Sequence, residues 1–405
     1  MLGSGPARQA SIFTGSTIVV SVLGVVTTAI LARRMTEDVF GSYAFAVSFL
    51  AFAALFFEFG LFPPAARLAA LRTGEEAHAI VGAGLVLYLP LLVAFSLFAF
   101  ASSFFVDQVF DVNAGSAIRV AAPLVGGVPF VLVPQQLSQG VDRLYVWSVT
   151  QVLFQALFLL LLVLAPFTLS ITAALVFRML ALAVASLIAA WWLRPVFRHV
   201  VQYAREIVRD TRSYGFSMYV GRLLSIGTYN MDVLMLGAFR DGRTVGYYTL
   251  AASVAGASGL PVQGLATALF RRMATAVAIS RQVIVFSAVG GLASALVATL
   301  LAGPFIEHVF SARYAPAVAL VFPLALAQAV RGVTGIYNTY LSAQAKGREL
   351  RSANVILTTS NAALNVTLIP AYGATGAAWA SFVALVINLG AHVFYYRRSL
   401  APVLP

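Results

Sequence analysis

The sequence predicts an all-α polytopic membrane protein: about twelve transmembrane helices in two parallel-repeat lobes of six, packed around a central cavity. Three observations lead there. Of the 405 residues, 60% are hydrophobic and 10% are charged, whereas a soluble domain carries about 25% charged residues. The apolar residues gather in runs of roughly 20, the length that crosses a bilayer as helix. The chain also repeats itself across its middle.

Taken in order, the runs place six spans near 11–32, 40–62, 79–101, 115–138, 145–165 and 167–193. Six more lie near 214–238, 244–270, 283–304, 315–342, 351–370 and 373–396. The segment before the first run is short and weakly basic. The run itself is longer than a signal-peptide core, so it reads as an uncleaved span.

Basic residues orient the spans. With the N-terminus inside, the inner segments hold 17 Lys and Arg side chains, including Arg67, Arg72, Arg143 and Arg271. The outer loops hold five: Arg33, Arg34, Arg240, Arg243 and Arg313. This asymmetry predicts both termini in the cytoplasm. The longest non-apolar stretch, 194–213, is then a basic cytoplasmic linker between lobes 1–193 and 214–405. Its Arg205, Arg209 and Arg212 share one helical face, the pattern of an interfacial helix resting on anionic membrane lipids.

The repeat overlays 31–69 on 236–274. Leu31, Gly41, Tyr43, Ala46, Ser48, Leu55, Arg67 and Ala69 meet Leu236, Gly246, Tyr248, Ala251, Ser253, Leu260, Arg272 and Ala274. Six spans separate the copies. An even number leaves both running in one direction, so the lobes are related by an axis along the membrane normal. Two such bundles side by side leave a cleft, and rocking one against the other gives alternating access.

The composition also excludes. There is no cysteine, and the four histidines (His78, His199, His308, His392) are scattered, so neither a metal site nor a cofactor is expected. No phosphate-cradling Gly-x-x-x-x-Gly-Lys-Ser/Thr run occurs. No close carboxylate pair suits acid–base work, and every outer loop is short, so the chain reads as a transporter rather than an enzyme. A membrane-embedded glycan polymerase or ligase is the alternative. The net charge of +12 follows from topology and does not imply a nucleic-acid partner.

Charges inside spans cost a few kcal/mol near the helix centre and ask for a reason. Arg178, Arg222 and Arg331 fall well inside predicted spans, as candidates for a cationic cavity that holds an anionic headgroup. Arg222 shares a helical face with Tyr229 and Asp232, and Arg331 one with Asn338. Tyr229 and Asn338 join the substrate-binding candidates. Asp232 and Glu58 are candidates for ion coupling. Asn354, Asn361 and Asn365 form a polar face on span eleven.

Three stretches resemble polysaccharide-exporter flippases of the Wzx type. They are Ala29–Ala44 with its Gly-x-Tyr, the run from Asp232 to Ala251, and Asn365-x-x-x-x-Pro370-x-x-Gly373-x-x-Gly376-Ala-Ala. That family belongs to the multidrug/oligosaccharidyl-lipid/polysaccharide exporter superfamily. The resemblance implies export of undecaprenyl-pyrophosphate-linked oligosaccharide repeat units, for O-antigen, capsule or exopolysaccharide, across a bacterial inner membrane. It also implies contact with other glycan-assembly membrane proteins. Lipid II flippases and multidrug exporters are close cousins. The drug exporters favour acidic cavities, whereas this chain carries more arginine than carboxylate inside its spans.

Overall fold

The computed structural model describes residues 5–165, 168–262, 269, 273, 276–344 and 346–400. Within them, the side chains of 5–14, 132, 144, 213, 214, 217, 218, 220–222 and 224–229 lie outside the description. Among the described residues the secondary structure is helical. The chain divides into two compact units, Met1–Leu223 and Leu224–Pro405.

The first unit holds α1 (Gly5–Arg34), α2 (Glu37–Phe56), α3 (Phe62–Ala70), α4 (Glu75–Ser102), α5 (Gly115–Ala121), α6 (Leu132–Gly140), α7 (Leu144–Leu164), α8 (Ile171–Trp192) and α9 (Val200–Asp210). Helix α10 (Phe216–Phe239) begins in the first unit and continues in the second. There it is followed by α11 (Gly242–Ser258), α12 (Arg281–Phe305), α13 (Val318–Ala343) and α14 (Gly347–Leu400).

Eight of the described helices are long and apolar enough to cross a membrane. Gly115–Leu124 and Gly127–Gly140 together make a ninth span, bent by 62° where Pro123, Pro129 and Pro134 interrupt backbone donors. Helix α14 has 54 residues, about 80 Å at 1.5 Å per residue, far longer than one span. It breaks at Gly373, whose φ of 57° and ψ of −134° suit a residue without Cβ. Gly376 then packs on the backbone of Leu368, as a tight reversal requires. With α14 counted twice, the described residues give ten spans, and α10 and α11, of 24 and 17 residues, lie at two further predicted spans.

The two halves are built alike where the sequence repeats. Thr36 caps α2 by accepting from Val39 N–H. Its counterpart, Asp241, caps α11 by accepting from Thr244 N–H at 2.8 Å. Arg34, at the end of α1, donates to the carbonyl of Leu162 at 2.5 Å. Arg240, just past α10, donates to the carbonyl of Pro370 at 2.6 Å. Each arginine thus ties the first span of its half to the open carbonyls of the fifth, where a cation also meets the negative helix end.

One expectation is corrected. The second span was predicted to run to residue 62, but α2 stops at Phe56. Phe59 and Gly60 take φ of 47° and 69°, and Pro63–Pro64 start α3 rather than prolong α2. Hydrophobicity could not show this, because the turn is as apolar as the helix. In the 194–213 stretch, the apolar face of helix α9 is docked on α3 and α4, and its arginines stay on the outer face. Tyr203 and Ile207 are buried with Phe62, Leu68 and Ile80. Glu206 pairs with Arg72 at 3.0 Å and Asp210 with Arg67 at 3.1 Å.

Candidate functional site

The strongest polar arrangement lies inside the second unit, in a cavity of about 380 Å³. Its centre is Asp232 on α10, 6% exposed. Three donors converge on this one carboxylate. Tyr248 Oη of α11 and Ser381 Oγ of α14 donate to Oδ2, each at 2.5 Å. Asn365 Nδ2 donates to Oδ1 at 2.6 Å. The other N–H of Asn365 goes to Asn361 Oδ1 at 3.1 Å. Asn365 Oδ1 is buried without a hydrogen-bond partner.

Each group reaches the centre because of its helical position. Asn361 and Asn365 are one turn apart on the first half of α14, so they present one face. Ser381 lies eight residues past the Gly373 break (381 minus 373), and returns to that level because α14 doubles back. Tyr248 is the counterpart of Tyr43 in the repeat. Arg331 of α13 lines the same cavity, and Tyr248 lies in the electrostatic field of both Arg331 and Asp232. A carboxylate and a guanidinium therefore share one buried space, where charge interactions are stronger than in water.

The remaining candidates fall elsewhere. Arg178 of α8 belongs to the first unit. Its guanidinium lies over the rings of Phe154 and Phe158, at 5.2 and 5.6 Å, and faces Tyr43 of α2. Asn338 of α13 does not line the Asp232 cavity. Its Nδ2 lies 3.5 Å from Nε2 of the buried His392, and His392 Nδ1 meets the Asn388 carbonyl at 3.0 Å. Glu58 is buried in the turn after α2, close enough for its charge to act on Tyr219, and belongs to the first unit. The side chains of Arg222 and Tyr229 lie outside the described residues.

Sequence reading brought Asp232 and Arg331 forward and left out Tyr248, Ser381 and Gln328, another lining residue. Tyr248 carried a usable signal, since it is a matched polar position in the repeat. Ser381 carried none: a serine in an apolar helix is common, and only the fold of α14 brings it to a carboxylate.

Residues 7–270 match the model of a family described as "Polysaccharide biosynthesis protein". A sequence comparison with curated proteins found no match. The fold resembles the inward-facing conformation of a multidrug resistance MATE family transporter of the MOP superfamily. The TM-score is 0.78 at 16% identity, covering 94% of this chain and 95% of that one. It also resembles the lipid II flippase MurJ in an inward closed conformation, with a TM-score of 0.75 at 13% identity, over 95% of this chain and 87% of that one.

Proposed function

The chain belongs to the polysaccharide biosynthesis protein family, and we propose that it is a flippase that moves an undecaprenyl-pyrophosphate-linked oligosaccharide repeat unit from the inner to the outer leaflet. Its product serves O-antigen, capsule or exopolysaccharide assembly at a bacterial inner membrane, with both termini cytoplasmic. The family match and the transporter fold support a role in carrying saccharide. The observation that carries the anionic headgroup is Arg331, a guanidinium inside a membrane-embedded cavity.

Arg331 holds the pyrophosphate, because the planar guanidinium donates two parallel hydrogen bonds to adjacent phosphate oxygens. The isoprenoid tail stays in the bilayer, and no covalent step is needed. Asp232 couples transport to an ion. When its site is filled by a proton or a monovalent cation, the negative charge in the cavity is offset, and the charge of Arg331 is left to a phosphate. Emptying the site restores the carboxylate charge in the cavity and favours release.

The test is complementation of a strain lacking the gene, with lipid-linked oligosaccharide accessibility measured on each leaflet. Arg331→Ala and Arg222→Ala are expected to leave the oligosaccharide on the inner leaflet. Normal export by both variants would end the cationic-site reading. A second reading, export of cationic drugs, is favoured by the buried Asp232. It would be supported if Asp232→Asn abolished efflux of a cationic dye while glycan export continued.

A further inference from the structure

The exposed face of α9 carries an observation that transport does not use. Along the helix, basic and acidic residues stand side by side as Arg205–Glu206 and Arg209–Asp210, so the sequence is locally neutral. The fold separates the two signs. Both acids turn inward and pair with Arg72 and Arg67. Just before the helix, Arg198 pairs with Glu75 at 3.0 Å. Arg205, Arg209 and Arg212 remain exposed. Among the described residues no salt bridge reaches Arg205 or Arg209.

Beside these arginines lies an open cavity of about 850 Å³, lined by Phe197, His199, Val201, Arg205, Arg209 and Glu206, whose charge is met by Arg72. The chain leading into it is held in place. Val196 N–H donates to the His78 carbonyl at 3.0 Å, His78 Nδ1 meets the Leu193 carbonyl at 2.9 Å, and Gly82 packs on the Val196 carbonyl. Apolar groups stand open next to the cations: Phe197 is 61% exposed and Val201 63%. Helix α8 ends just before at Trp191, 74% exposed, and Trp192. Tryptophans at the end of a span sit at headgroup depth, so the cavity opens at the level of lipid phosphates.

We infer that this cavity binds the headgroup of an anionic phospholipid from the surrounding bilayer. Arg205 and Arg209 take the phosphate, while Phe197, Val201 and Trp191 lie along the upper acyl chains. A cytosolic protein partner would not need apolar groups at membrane depth. A zwitterionic lipid would bring its own cation against the arginines. An anionic lipid satisfies both features, and each arginine near the surface is worth roughly fivefold in affinity. The proposal does not depend on the exported substrate.

The test uses the full chain in nanodiscs, with Trp147 and Trp379 replaced by Phe so that Trp191 and Trp192 report alone. Dibrominated phosphatidylglycerol, a contact quencher, is mixed at low fraction into phosphatidylcholine. Quenching severalfold above the bulk mole fraction is expected, and it should fall with added salt. Dibrominated phosphatidylcholine should quench only in proportion to its fraction. In the Arg205→Gln/Arg209→Gln variant the excess should vanish while the melting transition in pure phosphatidylcholine is unchanged. If that variant does not fold, Arg205→Lys/Arg209→Gln provides the reading. Proportional quenching by the anionic lipid, or an excess that survives loss of both arginines, overturns the proposal. Displacement by an equimolar short-chain prenyl pyrophosphate also overturns it, by assigning the cavity to substrate. Export failing in Arg331→Ala with no lipid excess at α9 would leave the flippase reading intact and remove this one.

Discussion

Replacing Asp232 with Asn tests the second-unit site most directly, because the shape is kept and the charge is removed. Three donors meet the carboxylate at 2.5, 2.5 and 2.6 Å. A hydrogen bond to a charged group contributes about 1.5–3 kcal/mol and a neutral one about 0.5–1.5 kcal/mol. Each bond that survives the change therefore loses about 1 kcal/mol. Tyr248 and Ser381 hydroxyls can turn to accept from the new amide. Asn365 Nδ2 can only donate, so the new side chain must keep its carbonyl oxygen toward Asn365. Arg331 also loses the negative charge in its cavity, which raises the cost of its burial. The expected destabilisation is about 2–3 kcal/mol, scaled from the neutral–charged difference over three bonds. It would be read as a shift in reversible denaturant unfolding in mixed micelles, followed by circular dichroism. A change under about 0.5 kcal/mol, the range of an unremarkable surface substitution, would mean that the carboxylate is not held by this network.

Three other outcomes follow from the geometry. The double variant Asp232→Asn/Arg331→Gln should be more stable than the sum of the two single changes, by about 1 kcal/mol or more, since groups in one network are coupled; additive effects would separate Arg331 from the carboxylate. Arg240→Ala should cost about 1–2 kcal/mol by freeing the Pro370 and Ile369 carbonyls, and should speed hydrogen exchange on both sides of Gly373; unchanged exchange there would show that the arginine does not hold the α14 break. Asp241 gives a pH dependence. Partial burial pushes its carboxyl up, but hydrogen bonds from Thr244 and the charge of Arg243 bring it below the ordinary carboxylate value. A group lowered in the folded state stabilises above its unfolded pKa and loses that contribution as pH falls through the folded one. The cap should therefore contribute evenly above about pH 5 and fade only below about pH 4. Asp241→Ala should cost about 1 kcal/mol at neutral pH. Asp241→Asn should retain most of the cap, and a stability loss for it equal to that of Ala would contradict the capping role.

Much of this was written in the chain. Apolar runs gave the spans to within a few residues, and the split near 371–372 anticipated the break at Gly373. The repeat covers the stretches that hold Thr36 and Asp241, and the structure places a helix cap at each. Asp232 and Arg331 stood out because a charge among apolar residues is costly and needs a partner. The turn at 57–61 did not stand out, because its phenylalanines read as helix.

What the sequence by itself determined is the solvent and the segments: which stretches must hide their backbone polar groups as helix in a bilayer. What only the tertiary structure decided is which polar groups meet. Ser381 reaches Asp232 because α14 reverses at Gly373. Glu206 and Asp210 leave the surface of α9 because Arg72 and Arg67 wait on neighbouring helices. Local sequence sets the face of a helix, but the partner of that face comes from residues far away in the chain, and no periodicity within one segment can name it.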